Sequence, residues 1–356
     1  MAATPGGASP PVVSPEIHAD RRVTFRLSAP KATEVTLRGV GSEPAAMQKD
    51  ATGNWTLSVG PLVPDTYHYH FVVDGVRTID PSPMAEVAAG MVSSSTYSSF
   101  VIRGDPPAID ELLPIPHGVV HQYLYQSKSL GVVRRVVIYT PPDYDTAAKQ
   151  QYPVLYLLHG ARNNETFWVD YARVNLVVDN LIASGTAKPL VIVMPNGNPP
   201  PRRPSGAGIS PELLIGRDLV EEVIPMIEST FRVKAGAQDR AIAGFSLGGR
   251  QALAIGLAQL GHFSRVATFS AAIDDATAAT TFAALPVEGA EVNRKLRLLW
   301  MACGTEDALF AANERASTFL RERGVEHTFQ TTAGAHSWKL ARSYLHELLP
   351  KLFAEQ

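Results

Sequence analysis

The chain has 356 residues, of which 45% are apolar and 19% charged, and its formal net charge is −2. That length suffices for one large or two unequal domains with a buried reaction site, and the charge gives no basic field for nucleic acid. The single cysteine, Cys303, excludes an intramolecular disulfide and a multi-cysteine zinc site.

The opening stretch, MAATPGGASPPVVSPE, lacks a basic start and an apolar core, so residues 1–20 read as a flexible leader without a secretory signal. No later apolar run is long enough to span a bilayer, and no membrane partner is expected. From 21 to 103 the segments RVTFRLSAP, EVTLRGV, NWTLSVG, YHYHFVVDG and STYSSFVIRG alternate in the manner of short strands, with turn residues between them. They predict a small β-sandwich of roughly immunoglobulin size, with a hairpin turn at Asp74-Gly75. Trp55 and Tyr69 read as its core, a sugar platform being the alternative. The proline-rich GDPPAIDELLPIPHG, 104–118, reads as a linker.

From 119 to 356 the texture changes to strand then helix. RRVVIYTPP, YPVLYLLHG, PLVIVMPNG, DRAIAGFS, RVATFSA, LRLLWMACG and EHTFQTTAG are predicted strands, with amphipathic helices between and after them. Strands apolar throughout predict an α/β domain with a mainly parallel sheet covered on both faces. The irregular GNPPPRRPSGAGIS, 197–210, lies at the carboxyl end of a strand, where such sheets place ligand crevices. The acids of DLVEEV fall on a helix and read as solvated, and Lys339 and Arg342 read as surface.

One stretch, AIAGFSLGGRQAL, concentrates the chemistry. Gly244-Phe245-Ser246-Leu247-Gly248 sits between an apolar strand and a helix, the setting in which Gly-x-Ser-x-Gly marks a nucleophile elbow. The serine must take a strained backbone, and a Cβ at Gly244 or Gly248 would collide with the neighbouring strand or helix. The plain alternative makes Ser246 an ordinary helix N-cap.

A serine nucleophile needs a histidine to take its proton and an acid to hold that histidine, in the chain order Ser, acid, His. His336, in AHSWKL before the last helix, and Asp307, in GTEDALF after a strand, supply that order, and Glu306 is the rival acid by spacing. Of the ten histidines, His159 reads as a loop brace, and His117 and His121 have no acid partner predictable from spacing. The oxyanion hole requires the backbone N–H of Leu247 and a second donor in HGARNNETFW, for which Ala161 is the choice. Trp168, Tyr171 and Trp338 flank the crevice as packing or as partners for a planar aryl or sugar group. Trp168, Asn196, Trp338 and Arg162 are the expected substrate-binding residues, and no metal constellation stands out.

YPVLYLLHG, ETFW, VVDNLIASGTAKPLVIVMPNG, RDLVEEVIPMIESTFRV, RAIAGFSLGG, CGTED and GAHSWKLARSYLHELLPKLF together resemble the esterase D-type α/β-hydrolases of carbohydrate esterase family one. That family includes feruloyl and acetylxylan esterases. YHYHFVVDG and DPSP resemble the early-set, glycogen-binding-like β-sandwich that precedes many such esterases. The resemblance implies an α/β-hydrolase fold behind that immunoglobulin-like domain. It also implies Ser246 as nucleophile, His336 as general base, Asp307 rather than Glu306 as its partner, Leu247 and Ala161 as oxyanion hole, and no cofactor. Many relatives have a run of glycines after HG, where this chain has ARNN.

The expectation is therefore a secreted or periplasmic serine esterase acting on feruloyl or acetyl esters of plant polysaccharide, oligosaccharide or small aryl esters. A siderophore esterase, an acyltransferase on the same scaffold, and a catalytically dead carbohydrate-binding protein are the alternatives.

Overall fold

A computed structural model describes residues 13–41, 43–82, 97–147, 149–200, 211–282, 285 and 289–354. The chain divides into two units, Met1–Leu112 and Leu113–Gln356.

In the first unit, alternating apolar and polar residues give strands with one inward face. They are β1 (Glu16–Ile17), β2 (Val23–Ser28), β3 (Val35–Arg38), β4 (Ala45–Ala46), β5 (Gln48–Lys49), β6 (Asn54–Val59), β7 (Asp65–Val73), β8 (Val76–Thr78) and β9 (Ser98–Ile102). One sheet runs β1-β2-β6-β5, and the other runs β4-β3-β7-β8 with β9 paired to β7. Val23, Phe25 and Leu27 of the first meet Tyr69, Phe71 and Phe100 of the second in one cluster that also buries Trp55. Trp55 and Tyr69 are thus core. The turn at Asp74 and Gly75 has φ of 45° and 82° and joins β7 to β8 with Val73 opposite Val76, as the Asp-Gly pair predicts.

Two expectations need correction here. Residues 13–20 are no loose leader: Glu16 and Ile17 pair with Thr24 and Val23, and the buried Ser14 hydroxyl donates to Asp80 at 2.6 Å. Residues 1–12 lie outside the described residues. The 104–118 stretch is no free linker either. Its first part is bonded into the first unit, where the Thr66 hydroxyl donates to the buried Asp110 at 2.8 Å. Its last part is bonded into the second, where Gly118 N–H donates to Asp179 at 3.0 Å. Buried carboxylates need such partners, and supplying them fixes the backbone.

The second unit is built on eight strands, β10 (Val119–Ser127), β11 (Val132–Thr140), β12 (Val154–Leu158), β13 (Val191–Pro195), β14 (Arg240–Phe245), β15 (Arg265–Phe269), β16 (Leu298–Gly304) and β17 (Thr328–Thr332). Their order is β10-β11-β13-β12-β14-β15-β16-β17. β10 and β11 pair antiparallel, as do β11 and β13, and every pair from β13 to β17 is parallel. The helices are α1 (Phe167–Asp170), α2 (Val174–Ala183), α3 (Pro211–Asp218), α4 (Ile224–Thr230), α5 (Leu247–Ala258), α6 (Asp275–Thr281), α7 (Gly289–Lys295), α8 (Phe310–Glu322) and α9 (Trp338–Leu352).

Each central strand is buried on both faces, as its unbroken apolar sequence predicts. Val154, Tyr156 and Leu158 of β12 join the core beneath α3, α4, α5 and α8, while Leu155 and Leu157 join the one beneath α2 and α9. The predicted helix GRDLVEEVIPMIESTF widens to a π-turn at Leu219–Val223. Pro225 has no N–H to give the preceding turn, which accounts for the irregularity just ahead of it. Asp218, expected to be solvated, is buried with Tyr125 donating to it at 2.7 Å. Arg342 is likewise buried rather than on the surface. Among the described residues no helix is long and apolar enough to cross a membrane.

Candidate active site

The elbow forms because β14 runs straight into α5 with Ser246 between them. Ser246 has φ 57° and ψ −116°, a conformation that costs a residue with a Cβ about 1–3 kcal/mol and persists only where neighbours impose it. The end of β15 and the loop after it impose it: Ser246 N–H donates to Phe269 O, and Ala272 N–H donates to Ser246 O, both at 2.9 Å. The glycines permit the fit. A Cβ on Gly244 would lie 2.3 Å from the Gly248 backbone, and one on Gly248 would lie 2.4 Å from Leu158 O. The Ser246 side chain makes no capping bond to α5, which removes the N-cap alternative. The hydroxyl is instead 3.0 Å from His336 Nε2.

Ser246, Asp307 and His336 follow β14, β16 and β17, so all three stand at carboxyl ends of parallel strands. His336 Nδ1 is 2.8 Å from Asp307 Oδ2, and Leu309 N–H donates to Asp307 Oδ1 at 2.8 Å. A carboxylate only accepts, so the ring proton belongs on Nδ1 and Nε2 is free to accept from the serine. The loops meet closely because Gly304 has no side chain: a Cβ there would lie 2.0 Å from Gly334 O. The rival acid, Glu306, is exposed, whereas the Asp307 side chain is wholly buried. The His336 ring stacks on Phe245 at 4.7 Å and 27°.

The loop after β12 passes beside this relay. A Cβ on Gly160 would lie 3.6 Å from Ser246 Cβ, so Ala161 follows a residue in contact with the serine. Leu247 opens α5, and the first N–H groups of a helix have no partner within it. These two backbones are the donors expected around an oxyanion.

The four expected substrate contacts separate. Trp338 is half-buried, with its ring against Phe245 at 5.0 Å, and Arg162 is exposed. Trp168 is 0% exposed, and its indole N–H donates to Leu158 O at 3.1 Å. The expectation that it touches substrate gives way to packing beneath Trp338, 4.9 Å away. Both polar ends of the Asn196 amide serve the loop: Nδ2 donates to Glu165 at 2.8 Å, and Oδ1 accepts Asn198 N–H at 2.9 Å.

That amide belongs to a buried scaffold the sequence did not announce. Glu165 also pairs with Arg135 on β11, Arg134 donates to the Asn196 and Asn198 carbonyls, and Asn198 Nδ2 donates to Asn163 O at 2.7 Å. His159 bridges the same loops, with Nδ1 2.8 Å from Gly160 O and Nε2 accepting Gly197 N–H at 2.9 Å. One neutral tautomer satisfies both contacts, and burial holds its pKa below the usual histidine value. It braces, as expected. Burial also pushes the Cys303 thiol up to about 11, which keeps it protonated and unreactive.

With strand order, elbow and relay in place, the matching family is decisive. The family model named Esterase matches residues 127–352. The chain belongs to the Esterase family. Among relatives of this esterase, the endo-1,4-beta-xylanase/feruloyl esterase of Xylanibacter ruminicola is 32% identical over 248 residues, covering 67% of this chain and 33% of its own. The chain spans about a third or less of the length of the curated relatives it matches. A solved ferulic acid esterase is 28% identical with a TM-score of 0.58, covering 67% of this esterase and 98% of itself. The enterobactin esterase FES from Shigella flexneri shares the fold over 93% of this chain and 92% of its own, at 18% identity and a TM-score of 0.65. The esterase unit is of the α/β-hydrolase type, with the large mixed sheet already described.

Proposed function

We propose that the chain is a serine carboxylic-ester hydrolase that removes feruloyl groups, or next to them acetyl groups, from plant cell-wall polysaccharide or small aryl esters. The observation that carries this reading is the relay in which His336 Nε2 stands 3.0 Å from Ser246 Oγ while Nδ1 stands 2.8 Å from Asp307. Ser246 attacks the ester carbonyl as Nε2 takes its proton, and Asp307 holds the ring and stabilises the imidazolium that forms. The N–H groups of Leu247 and Ala161 donate to the oxyanion. The imidazolium then protonates the departing alcohol, and water activated by the same nitrogen releases the acid. No cofactor enters these steps.

The names of the xylanase/feruloyl esterase and ferulic acid esterase relatives support the acyl group, as do the rings of Phe167 and Tyr171 packed around Trp338, which meets the Phe245 ring stacked on His336. The first unit is, in this reading, an early-set immunoglobulin-like β-sandwich, and the protein works in a secreted or periplasmic setting. A second reading, a siderophore esterase, is favoured by the likeness to the enterobactin esterase across both units.

Ser246→Ala should remove nearly all turnover of methyl ferulate, by about 10⁴-fold or more, and abolish labelling by a fluorophosphonate. Substantial residual hydrolysis would refute the assignment. Parallel rates on methyl ferulate, acetylated xylan and a catecholate siderophore ester rank the substrates.

A further inference from the structure

The turn that follows β12 places an arginine where the backbone favours glycine. Asn163 N–H donates to Gly160 O at 3.3 Å, so 160–163 form a reverse turn. Its third residue, Arg162, has φ 64°, a conformation that suits glycine or asparagine and disfavours other side chains. Strain of this kind survives where the surroundings hold it, and it gathers at sites that meet a ligand. The surroundings here are the bond from Asn198 to Asn163 and the buried Glu165, two residues further on, with its ties to Arg135 and Asn196.

No described residue engages the side chain placed there. Arg162 is exposed and forms no hydrogen bond or ion pair among the described residues. Other arginines around the site are engaged: Arg134 with two carbonyls, Arg135 with Glu165, and Arg250 with Glu212 at 2.8 Å. Gly160 touches the Ser246 environment, and Arg162 follows it by two residues, at most about 7 Å of chain. A guanidinium is a permanent cation whose planar donors match a carboxylate. The aromatic rings packed around Trp338 suit an aryl acyl group, which leaves the cationic turn for the polar alcohol.

Resting on the esterase reading above, we propose that Arg162 is a specificity-determining residue that binds a carboxylate on the alcohol part of the ester. The preferred substrates are then aryl esters of acidic sugars or other hydroxy acids.

The test measures hydrolysis of 4-nitrophenyl acetate in competition with two esters that share one acyl group. Chlorogenate carries a carboxylate on its alcohol, and methyl caffeate does not. The wild-type protein should show the lower Ki for chlorogenate. Arg162→Gly, which suits the positive φ and whose melting temperature checks the fold, should raise that Ki about tenfold relative to the Ki of methyl caffeate. Arg162→Lys, which keeps the charge without the planar fork, should recover part of the difference. An unchanged ratio of the two Ki values in Arg162→Gly overturns the proposal, whether both rise together or neither moves. Absence of any Ser246-dependent hydrolysis of 4-nitrophenyl acetate would remove the esterase reading itself, a separate outcome.

Discussion

Two histidine–aspartate pairs in the same unit begin alike and end differently. His336 Nδ1 lies 2.8 Å from Asp307, and His117 Nδ1 lies 2.9 Å from Asp179. Both carboxylate side chains are fully buried, and the two rings are 34% and 33% exposed. The contrast is at the far nitrogen. Nε2 of His336 faces the Ser246 hydroxyl, which can donate, whereas Nε2 of His117 faces the Leu113 carbonyl at 3.0 Å, which only accepts. A neutral ring satisfies the first arrangement; only a doubly protonated ring satisfies both contacts of the second. His117 is therefore a clamp. It ties 113–118 to α2 through Asp179, which also accepts from Tyr139 at 2.6 Å and Gly118 at 3.0 Å. A buried carboxylate beside an imidazole is thus no mark of catalysis; the atom on the ring's other side decides.

Asn in place of each aspartate should separate the two pairs most sharply. Asp307→Asn leaves the shape but frees the ring to take the wrong tautomer, so kcat should fall about 10⁴-fold with little change in thermal unfolding. Asp179→Asn should do the reverse, costing about 3 kcal/mol in denaturant titration while kcat/KM stays near wild type. Similar losses of stability in both variants, without the catalytic loss, would dissolve the contrast.

A change at the elbow should follow in size. Gly248→Ala puts a Cβ 2.4 Å from Leu158 O and 2.5 Å from His159 O, and unfolding free energy should drop by roughly 3 kcal/mol or more. Retention of both stability and activity would show that the strand and helix can part. Phe245→Leu keeps apolar bulk but removes the ring stacked on His336, an advantage His117 lacks in being built as a clamp. Its kcat should fall up to about tenfold with KM little changed, and an unaltered kcat would reduce the ring to packing.

The smallest effect concerns another histidine near the site, His159. Its folded pKa is lowered, so the unfolded chain takes up a proton first as pH falls. Its contribution is complete above about pH 6.5 and is lost as pH falls toward the lowered folded value. His159→Gln should therefore flatten the acid limb of stability by up to about one proton. An identical slope in the variant would contradict the buried neutral ring. Separately, the ring nitrogens should show a neutral Nδ1–H form by NMR at pH values where an ordinary histidine is half charged.

Some of this was readable before any coordinates. Gly244, Ser246 and Gly248 sit within five residues, so the tight turn and the close approach of Gly244 to the Gly248 backbone are local, whereas the approach of Gly248 to Leu158 O and the bonds that hold Ser246 strained come from other strands. The apolar strands gave a sheet covered on both faces, and a serine, an acid at 306 or 307 and His336 stood in the expected chain order in segments that follow strands. Other readings failed for one shared reason. Ser14 finds Asp80 across 66 residues, Thr66 finds Asp110 across 44, and Tyr125 finds Asp218 across 93. Composition in the leader, the proline-rich stretch and the helix could not reveal those partners, so ordered segments read as loose and a buried acid read as solvated.

Adjacent residues make the same division plain. Asp307 and Glu306 offer the same chemistry at nearly the same spacing, and Trp168 and Trp338 are both aromatics beside the crevice. Local pattern determines which backbone forms, because helix and strand periodicity and glycine's freedom are settled within a few bonds. Which acid faces the imidazole and which indole is sealed away are decided by atoms brought together from distant parts of the chain. Burial and hydrogen-bond pairing are properties of those neighbours, and they exist only once the sheet and its loops have closed.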